Sequence, residues 1–116
     1  MLQWQEQVTH TKTPIIAHTR GDTFYKAFYH PNREIDLAEY DIACTFNDAN
    51  GLAHPLQCSF ARKTIVTLRA DPVDTRTWAV GMGAFDVQFM RKLDGFTLTS
   101  NKWLIQVIAD ETVSAT

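Results

Sequence analysis

The stretch that decides the fold runs from Arg20 to Gly51, RGDTFYKAFYHPNREIDLAEYDIACTFNDANG. It opens with a charged turn, Arg20-Gly21-Asp22-Thr23, and continues with an aromatic segment, Phe24 to Tyr29, whose side chains alternate between two faces. A second alternating segment, Asp41 to Phe46, leads to Asn50-Gly51, the strongest short-range hairpin signal in the chain. Strands and turns follow one another without a helical period between them. The stretch therefore predicts an all-β fold.

The same alternation continues on both sides of this stretch. The predicted strands are Thr13–Thr19, Thr23–His30, Asp41–Phe46, a return strand with Leu56, Cys58 and Phe60 on its inner face, Thr64–Arg69, Ala84–Met90, Phe96–Ser100 after a two-residue hairpin at Asp94-Gly95, and Lys102–Ala109 with Trp103, Ile105 and Val107 on one face. About seven or eight short strands at this spacing are typical of a sandwich or barrel.

Two segments interrupt the strand pattern. Residues 35–40 are predicted as a short crossing segment in which Leu37 and Tyr40 plug one end of the fold. Asp71-Pro72 predicts one short helical turn near residues 72–78, since proline is favoured at the first helical position. Gly81-Met82-Gly83 is predicted to turn the chain sharply into the next strand.

Length and charge limit the function. A chain of 116 residues is one domain; we expect a flexible arm at 1–12, a single sandwich domain at 13–112 and a tail at 113–116. A net charge of −2, with both signs spread along the chain, argues against nucleic acid as a partner. No segment has the apolar length of a signal peptide or a membrane span, so we expect synthesis in a cytoplasm and no membrane insertion.

The two cysteines, Cys44 and Cys58, are too few for a disulfide scaffold. If the chain forms a tight hairpin at Asn50-Gly51, the two cysteines are about equally far from the turn and could lie opposite each other on neighbouring strands. Two interpretations stay open: two buried thiols on one core face, or a disulfide formed after release.

No residue pattern points to catalysis or to a metal. The four histidines, His10, His18, His30 and His54, match no common ligand spacing. Ser59 and Cys58 lack a glycine-rich elbow, Asp86 has no obvious carboxylate partner, and Gly81-Met82-Gly83 is too short for a phosphate loop. We therefore expect no enzyme, no metal and no cofactor. A small enzyme would require His18, His30 or His54 to meet an Asp or Glu in space.

Four aromatic residues are the candidate contact residues: Trp4, Tyr25, Tyr29 and Trp78. Trp78 lies between the predicted helical turn and Gly81, where an aromatic ring can cap the open end of a sandwich. It is either a core residue or an exposed contact residue, and the same two interpretations hold for Trp4.

Several short motifs carry a resemblance that spans most of the chain. They are Arg20-Gly21-Asp22-Thr23-Phe24, Asp36-Leu37-Ala38-Glu39-Tyr40-Asp41, Phe46-Asn47-Asp48-Ala49-Asn50-Gly51, Thr75-Arg76-Thr77-Trp78 with Gly83-Ala84-Phe85-Asp86-Val87-Gln88, and Trp103-Leu104-Ile105-Gln106-Val107. Together they resemble the small immunoglobulin-like (Ig-like) β-sandwich domains of tailed-phage and prophage tail or baseplate proteins. The chain departs from that pattern at Ala38-Glu39, where the family often has Thr-Gly.

The resemblance implies an Ig-like antiparallel β-sandwich and a non-enzymatic virion structural or assembly protein associated with a tail, baseplate or fibre. Such a protein is made in the host bacterial cytoplasm, resides in the virion, and contacts other virion proteins or itself. The alternative is a stand-alone ligand- or carbohydrate-binding sandwich, with Trp78, Tyr25 and Tyr29 exposed on one face or end.

Overall fold

Two β-sheets make up the protein in a computed structural model that describes residues 14–110. The strands are β1 Ile15–Thr19, β2 Phe24–Tyr29, β3 Tyr40–Asn47, β4 Ala53–Pro55, β5 Gln57–Arg62, β6 Ile65–Ala70, β7 Gly81–Arg91, β8 Thr97–Thr99 and β9 Trp103–Ile108. A 3₁₀ turn, Leu37–Glu39, and one short helix, α1 (Pro72–Thr75), are the helical pieces within that range. The predicted all-β fold and the short helical turn after Asp71 are confirmed.

The larger sheet has the strand order β1-β9-β7-β3-β4, with β8 also paired to β7, and the smaller sheet has the order β2-β6-β5. All pairs are antiparallel except β1 with β9, which is parallel. The expectation of a wholly antiparallel sandwich is therefore wrong at β1. The turn at Gly21, whose φ of 92° suits glycine, sends β2 into the opposite sheet, so β1 has no hairpin partner and pairs with β9 instead.

One hydrophobic core lies between the two sheets. The larger sheet contributes Cys44, Phe46, Phe85, Val87, Phe89, Ile105 and Val107, and the smaller sheet contributes Phe24, Val66, Leu68 and Ala70. These residues follow the period of two expected for strands with one buried face. The sequence-predicted inner faces of β3, β7 and β9 are confirmed.

The return from the Asn50-Gly51 turn differs from the predicted single strand. β4 pairs with β3 for three residues, with Phe46 opposite His54. Leu56 then turns into the core, and the chain continues as β5 in the other sheet. The predicted pairing of Cys44 with Cys58 across one hairpin is therefore wrong, since the two residues lie in opposite sheets.

The predicted glycine turn at residues 81–83 is also wrong, because Gly81 and Gly83 open β7, a strand of 11 residues. A Cβ atom on Gly83 would lie 2.5 Å from the ring of Phe46. Glycine at this position allows the β7 backbone to approach that ring, a close contact within a strand rather than a change of direction.

The turn around Asp94-Gly95 is longer than the predicted two-residue hairpin. The Arg91 N–H donates to the carbonyl of Phe96 at 2.8 Å, and the Arg91 guanidinium pairs with Asp94 at 2.8 Å. Residues 92–95 therefore form the loop between β7 and β8. Ser100 then interrupts the strand, because its Oγ accepts the Val87 N–H at 2.9 Å.

Trp78 lies in the core, at the end of the sandwich that α1 covers. Its side chain is fully buried, with ring centroids 4.6 Å from Phe46 and 5.6 Å from Phe24. Thr75 holds α1 above it by donating to the Asp22 carbonyl at 2.8 Å and accepting from the Gly21 N–H at 3.0 Å. The core interpretation of Trp78 is confirmed, and an exposed contact role is wrong.

We expect Trp78→Ala to lower the free energy of unfolding by about 3–5 kcal/mol, since it leaves a large cavity between the sheets. Trp78→Phe is expected to cost under about 2 kcal/mol, because it keeps a ring and removes an indole N–H that has no hydrogen-bond partner within residues 14–110. Urea unfolding measures both. Leu93→Ala, at a side chain 89% exposed, is the control and should stay within about 0.5 kcal/mol of wild type. A Trp78→Ala protein as stable as this control would contradict the packing role.

Candidate interaction surface

The outer face of the smaller sheet brings two of the predicted contact residues together. Tyr25 and Tyr29 both point away from the core on β2 and are 55% and 75% exposed. Trp4 lies outside the described residues, and Trp78 is buried. The structure therefore groups Tyr25 and Tyr29, and not Trp78, on one surface, which we call the tyrosine face.

The strand register arranges the tyrosine face in three rows. One row holds Tyr25, Arg69 and Gln57, and another holds Tyr29, Ile65 and Arg62. The row between them consists of the small residues Ala27, Thr67 and Ser59. Because alternate residues on one face are two strand positions apart, the two tyrosines are separated by roughly 13 Å. The face is a shallow trough with an aromatic ring on each side.

The charge beside the tyrosine face is partly neutralised. Arg69 Nε donates to Asp71 at 3.0 Å, and both side chains are about half exposed. Solvent and salt screen such a pair, so it contributes little to stability. Its chemistry suits the rim of a contact surface, where charged groups set the orientation of a partner more than the affinity.

A second polar cluster lies inside the fold at the β3–β4 turn. Asp48 is buried, and its carboxylate accepts from His54 Nε2 at 2.7 Å and from the backbone N–H groups of Asn50, Leu52 and Ala79 at 2.9–3.2 Å. Burial raises the pKa of Asp48, but these four hydrogen bonds outweigh burial and lower the pKa to about 2. The cluster fastens the turn to the chain just after Trp78, so it serves the fold.

We expect Asp48 to make the protein sensitive to acid. Its pKa is lower in the folded state than the ordinary 3.8, so its contribution is complete above pH 3.8 and is lost as the pH falls towards 2. Asp48→Asn should lower the free energy of unfolding at pH 7 by about 1–3 kcal/mol, because it places amide hydrogens against buried N–H donors. The variant should also lose stability less steeply than wild type in that pH range.

Asp94→Asn is the matched control for this prediction. Its pKa is also lowered to about 2, by the hydrogen bond from Arg91, but its side chain is exposed. In 1 M salt the difference between Asp94→Asn and wild type should disappear, whereas the Asp48→Asn difference should remain, since buried interactions are screened less. Equal salt sensitivity of the two variants in urea unfolding would contradict the buried role of Asp48.

The three histidines within residues 14–110, His18, His30 and His54, do not form one site, and His10 lies outside the described residues. His54 meets Asp48, which is the carboxylate partner that an enzyme hypothesis requires, but His18 lies on Trp78 at 5.6 Å and contacts the Asp22 carbonyl through Nε2 at 3.1 Å. His30 is buried, with burial lowering its pKa, and its Nδ1 accepts the Asn32 N–H at 3.0 Å. Across residues 14–110, no group of three or more His, Cys, Asp and Glu side chains is placed to hold a metal ion. The absence of a catalytic site stays a prediction.

The two thiols face each other across the core from opposite sheets. Cys44 on β3 is buried and Cys58 on β5 is half-buried. The hydrogen bond with Cys58, together with burial, raises the pKa of Cys44. The Cys58 thiol also donates to the Leu56 carbonyl at 3.4 Å. Both cysteines are free thiols in this structure. The predicted position of two buried thiols on one core face is wrong, because the residues lie in opposite sheets and Cys58 is only half-buried.

We expect iodoacetamide to label Cys58 before Cys44 in the folded protein, because the thiolate is the reactive species and Cys44 is both protonated and buried. Peptide mass spectrometry after timed alkylation measures the order. In Cys58→Ala, labelling of Cys44 should require unfolding in urea. Rapid native labelling of Cys44 in that variant would contradict the buried position.

Two surface depressions lie on the described part of the chain. One lies on the outer face of the larger sheet, has a volume of about 180 Å³ and is lined by Thr45, Asn47, Asp86 and Gln88 among others. This is smaller than a typical ligand pocket, which measures about 300–1,000 Å³. The other, of about 430 Å³, lies between the 3₁₀ turn and the β7–β8 loop and includes Leu93, whose 89% exposure makes it an open depression.

The comparisons with known proteins leave the family open. The chain matches no protein-family model, and no curated protein matches it. Within residues 14–110, no helix has the length and apolar character needed to cross a bilayer. The resemblance to phage tail and baseplate domains therefore remains an expectation carried by the sequence motifs.

Sequence reasoning missed the Asp48 cluster and the trough. In the sequence, Asp48 is one residue of the motif Phe46-Asn47-Asp48-Ala49-Asn50-Gly51, and an Asp two residues before Asn50 is a common side-chain acceptor in turns. The trough depends on which residues stand opposite Ala27 on β6 and β5, and this register is not visible in a single strand.

Proposed function

We propose that this protein is a non-enzymatic structural or assembly component of a phage or prophage virion that works through protein–protein contacts. The tyrosine face is the contact surface in this proposal. The observation that carries it is the presence of two exposed tyrosines on one sheet face, on either side of a row of small residues.

The strand order supports the Ig-like part of the proposal. In immunoglobulin sandwiches, strands B, E and D share one sheet and strands G, F, C and C′ share the other. The orders β2-β6-β5 and β9-β7-β3-β4 follow this arrangement, with β1 beside β9. An Ig-like sandwich agrees with the family that the motifs resemble.

The chemistry of the tyrosine face supports a protein partner. Tyrosine is enriched at protein interfaces because it buries a large ring at low entropic cost and keeps a hydroxyl for hydrogen bonding. Tyr25 and Tyr29 are the anchors, and Ala27 between them leaves room for a protruding side chain of the partner. The Arg69–Asp71 pair lies at the rim.

The location follows from the same proposal. The chain is made in the host bacterial cytoplasm and becomes part of the virion, where it contacts other virion proteins or further copies of itself. Neither nucleic acid nor a membrane is a partner in this proposal, in agreement with the balanced charge of the chain.

We expect the chain to be present in gradient-purified particles from the bacterium that encodes it, at a fixed ratio to the other structural proteins. Tyr25→Ser/Tyr29→Ser should reduce its incorporation at least about tenfold, since interface tyrosines can each contribute about 2 kcal/mol or more. Quantitative mass spectrometry of the particles measures the ratio, and thermal unfolding confirms that the variant folds.

Leu52→Ser/Leu93→Ser is the matched control, because it removes two exposed apolar side chains outside the tyrosine face, 58% and 89% exposed. This variant should be incorporated like wild type. Particles without the chain would contradict the virion role. Equal incorporation of both double variants would contradict the tyrosine face as the contact surface.

A carbohydrate-binding module is the second candidate, and the same pair of exposed tyrosines favours it, since sugar rings stack on aromatic faces. Its predicted third aromatic, Trp78, is buried, which leaves two rings for the face. Absence of the chain from particles, together with oligosaccharide-induced NMR shifts confined to Tyr25 and Tyr29, would favour this candidate.

A further inference from the structure

The edge of β1 lacks the features that protect the other sheet edges. Strand edges carry unpaired N–H and C=O groups, and proteins block them with short strands, proline, bulges or charges that point inward. Within residues 14–110, β4 and β8 have only three residues each, and β4 contains Pro55. β5 has a register shift between Phe60 and Arg62, and β2 carries Lys26 on its core side, opposite buried Leu68.

By contrast, β1 is five residues long, Ile-Ile-Ala-His-Thr, with no proline, bulge or formal charge of the kind found at the other edges. The imidazole ring of His18, on β1, packs on Phe24 and Trp78 inside the fold. Among the described residues, β1 pairs only with β9. No strand within residues 14–110 therefore covers the other side of β1.

Two hydrogen bonds identify the residues that face this open side. The Leu104 N–H donates to the Pro14 carbonyl at 3.0 Å, and the Arg20 N–H donates to the Ile108 carbonyl at 2.9 Å. In a parallel pair the residues that bond to the partner alternate along the strand, so the even-numbered residues bond to β9. The backbone groups of Ile15, Ala17 and Thr19 consequently point outward. Pro14 is even-numbered, so its missing N–H does not affect this edge.

The open edge is complementary to itself. With a two-fold axis at Ala17, two antiparallel copies of β1 place Ala17 opposite Ala17 and Ile15 opposite Thr19. Roughly four backbone hydrogen bonds would join the two copies, because the Thr19 carbonyl of each copy already accepts the N–H of its own Asp22 at 3.2 Å. No like charges stand opposite one another in these pairs. Ile108, 40% exposed, stands beside Thr19 on the outer face, so Ile15 of the second copy would extend an apolar row.

We propose that the protein forms a two-fold dimer in which the β1 strands of two copies pair antiparallel and join their larger sheets. The occupant of the edge is a second copy of this chain, because the pairs across the axis match without a charge conflict. The pairing goes beyond the proposed function, and only its use as an assembly contact rests on that function.

Sedimentation of the full-length protein over a range of concentrations tests the proposal. We expect a monomer–dimer equilibrium in wild type. Ala17→Pro removes an N–H at the centre of the dimer but none that bonds to β9, so it should raise the dissociation constant at least about tenfold. Ala17→Ser keeps the N–H and should dimerise like wild type.

A charge exchange at the axis tests the geometry without relying on proline. Ala17→Asp and Ala17→Lys should each dissociate, since like charges then stand directly opposite, about 5.5 Å apart at their Cα atoms. An equimolar mixture of the two variants should form a heterodimer. A wild-type monomer at all concentrations, or a mixture that stays monomeric, would overturn the proposal.

The outcomes separate this inference from the proposed function. A monomer that is nevertheless found in purified particles would overturn the dimer and leave the virion role standing. A β1-paired dimer that is absent from particles would support the dimer and overturn the virion role.

Discussion

The packing of Trp78 between the two sheets is the interaction on which the rest of the structure depends. Its ring lies on Phe46, and the same Phe46 ring leaves no room for a side chain at Gly83. Next to Trp78 along the chain, the Ala79 N–H bonds to buried Asp48, which also holds the β3–β4 turn. One large side chain thereby links the close contact between β3 and β7 to the β3–β4 turn.

This dependence explains why some features were predictable from sequence and others were not. The inward positions on β3, β7 and β9 follow from alternation within each strand, which is local information. The crossing at Leu56 and the place of Gly83 depend on which sheet each segment joins and on what lies opposite. Those are long-range contacts, and the pattern of alternation within one strand does not show them.

The same difference between local and long-range information applies to the surface residues. Tyr25 and Tyr29 could be identified as exposed candidates because both rings fall on one side of an alternating strand, whereas Trp78 had two interpretations that only tertiary packing could separate. The openness of β1 was not predictable, since it arises from the parallel pairing with β9 and from the placement of β2 in the other sheet. A hairpin between β1 and β2 would have covered one side of each strand.

The two proposed contact surfaces belong to different sheets, and this has a consequence for assembly. Pairing through β1 extends the larger sheet, whereas the tyrosine face is on the outer side of the smaller one. A β1-paired dimer would therefore carry two uncovered, symmetry-related tyrosine faces. Two linked sites bind a repeating partner more tightly than either site alone when their spacing matches the repeat. In the proposed virion role, a modest contact at each tyrosine face would then be sufficient for stable incorporation, provided that the partner repeats with a matching spacing.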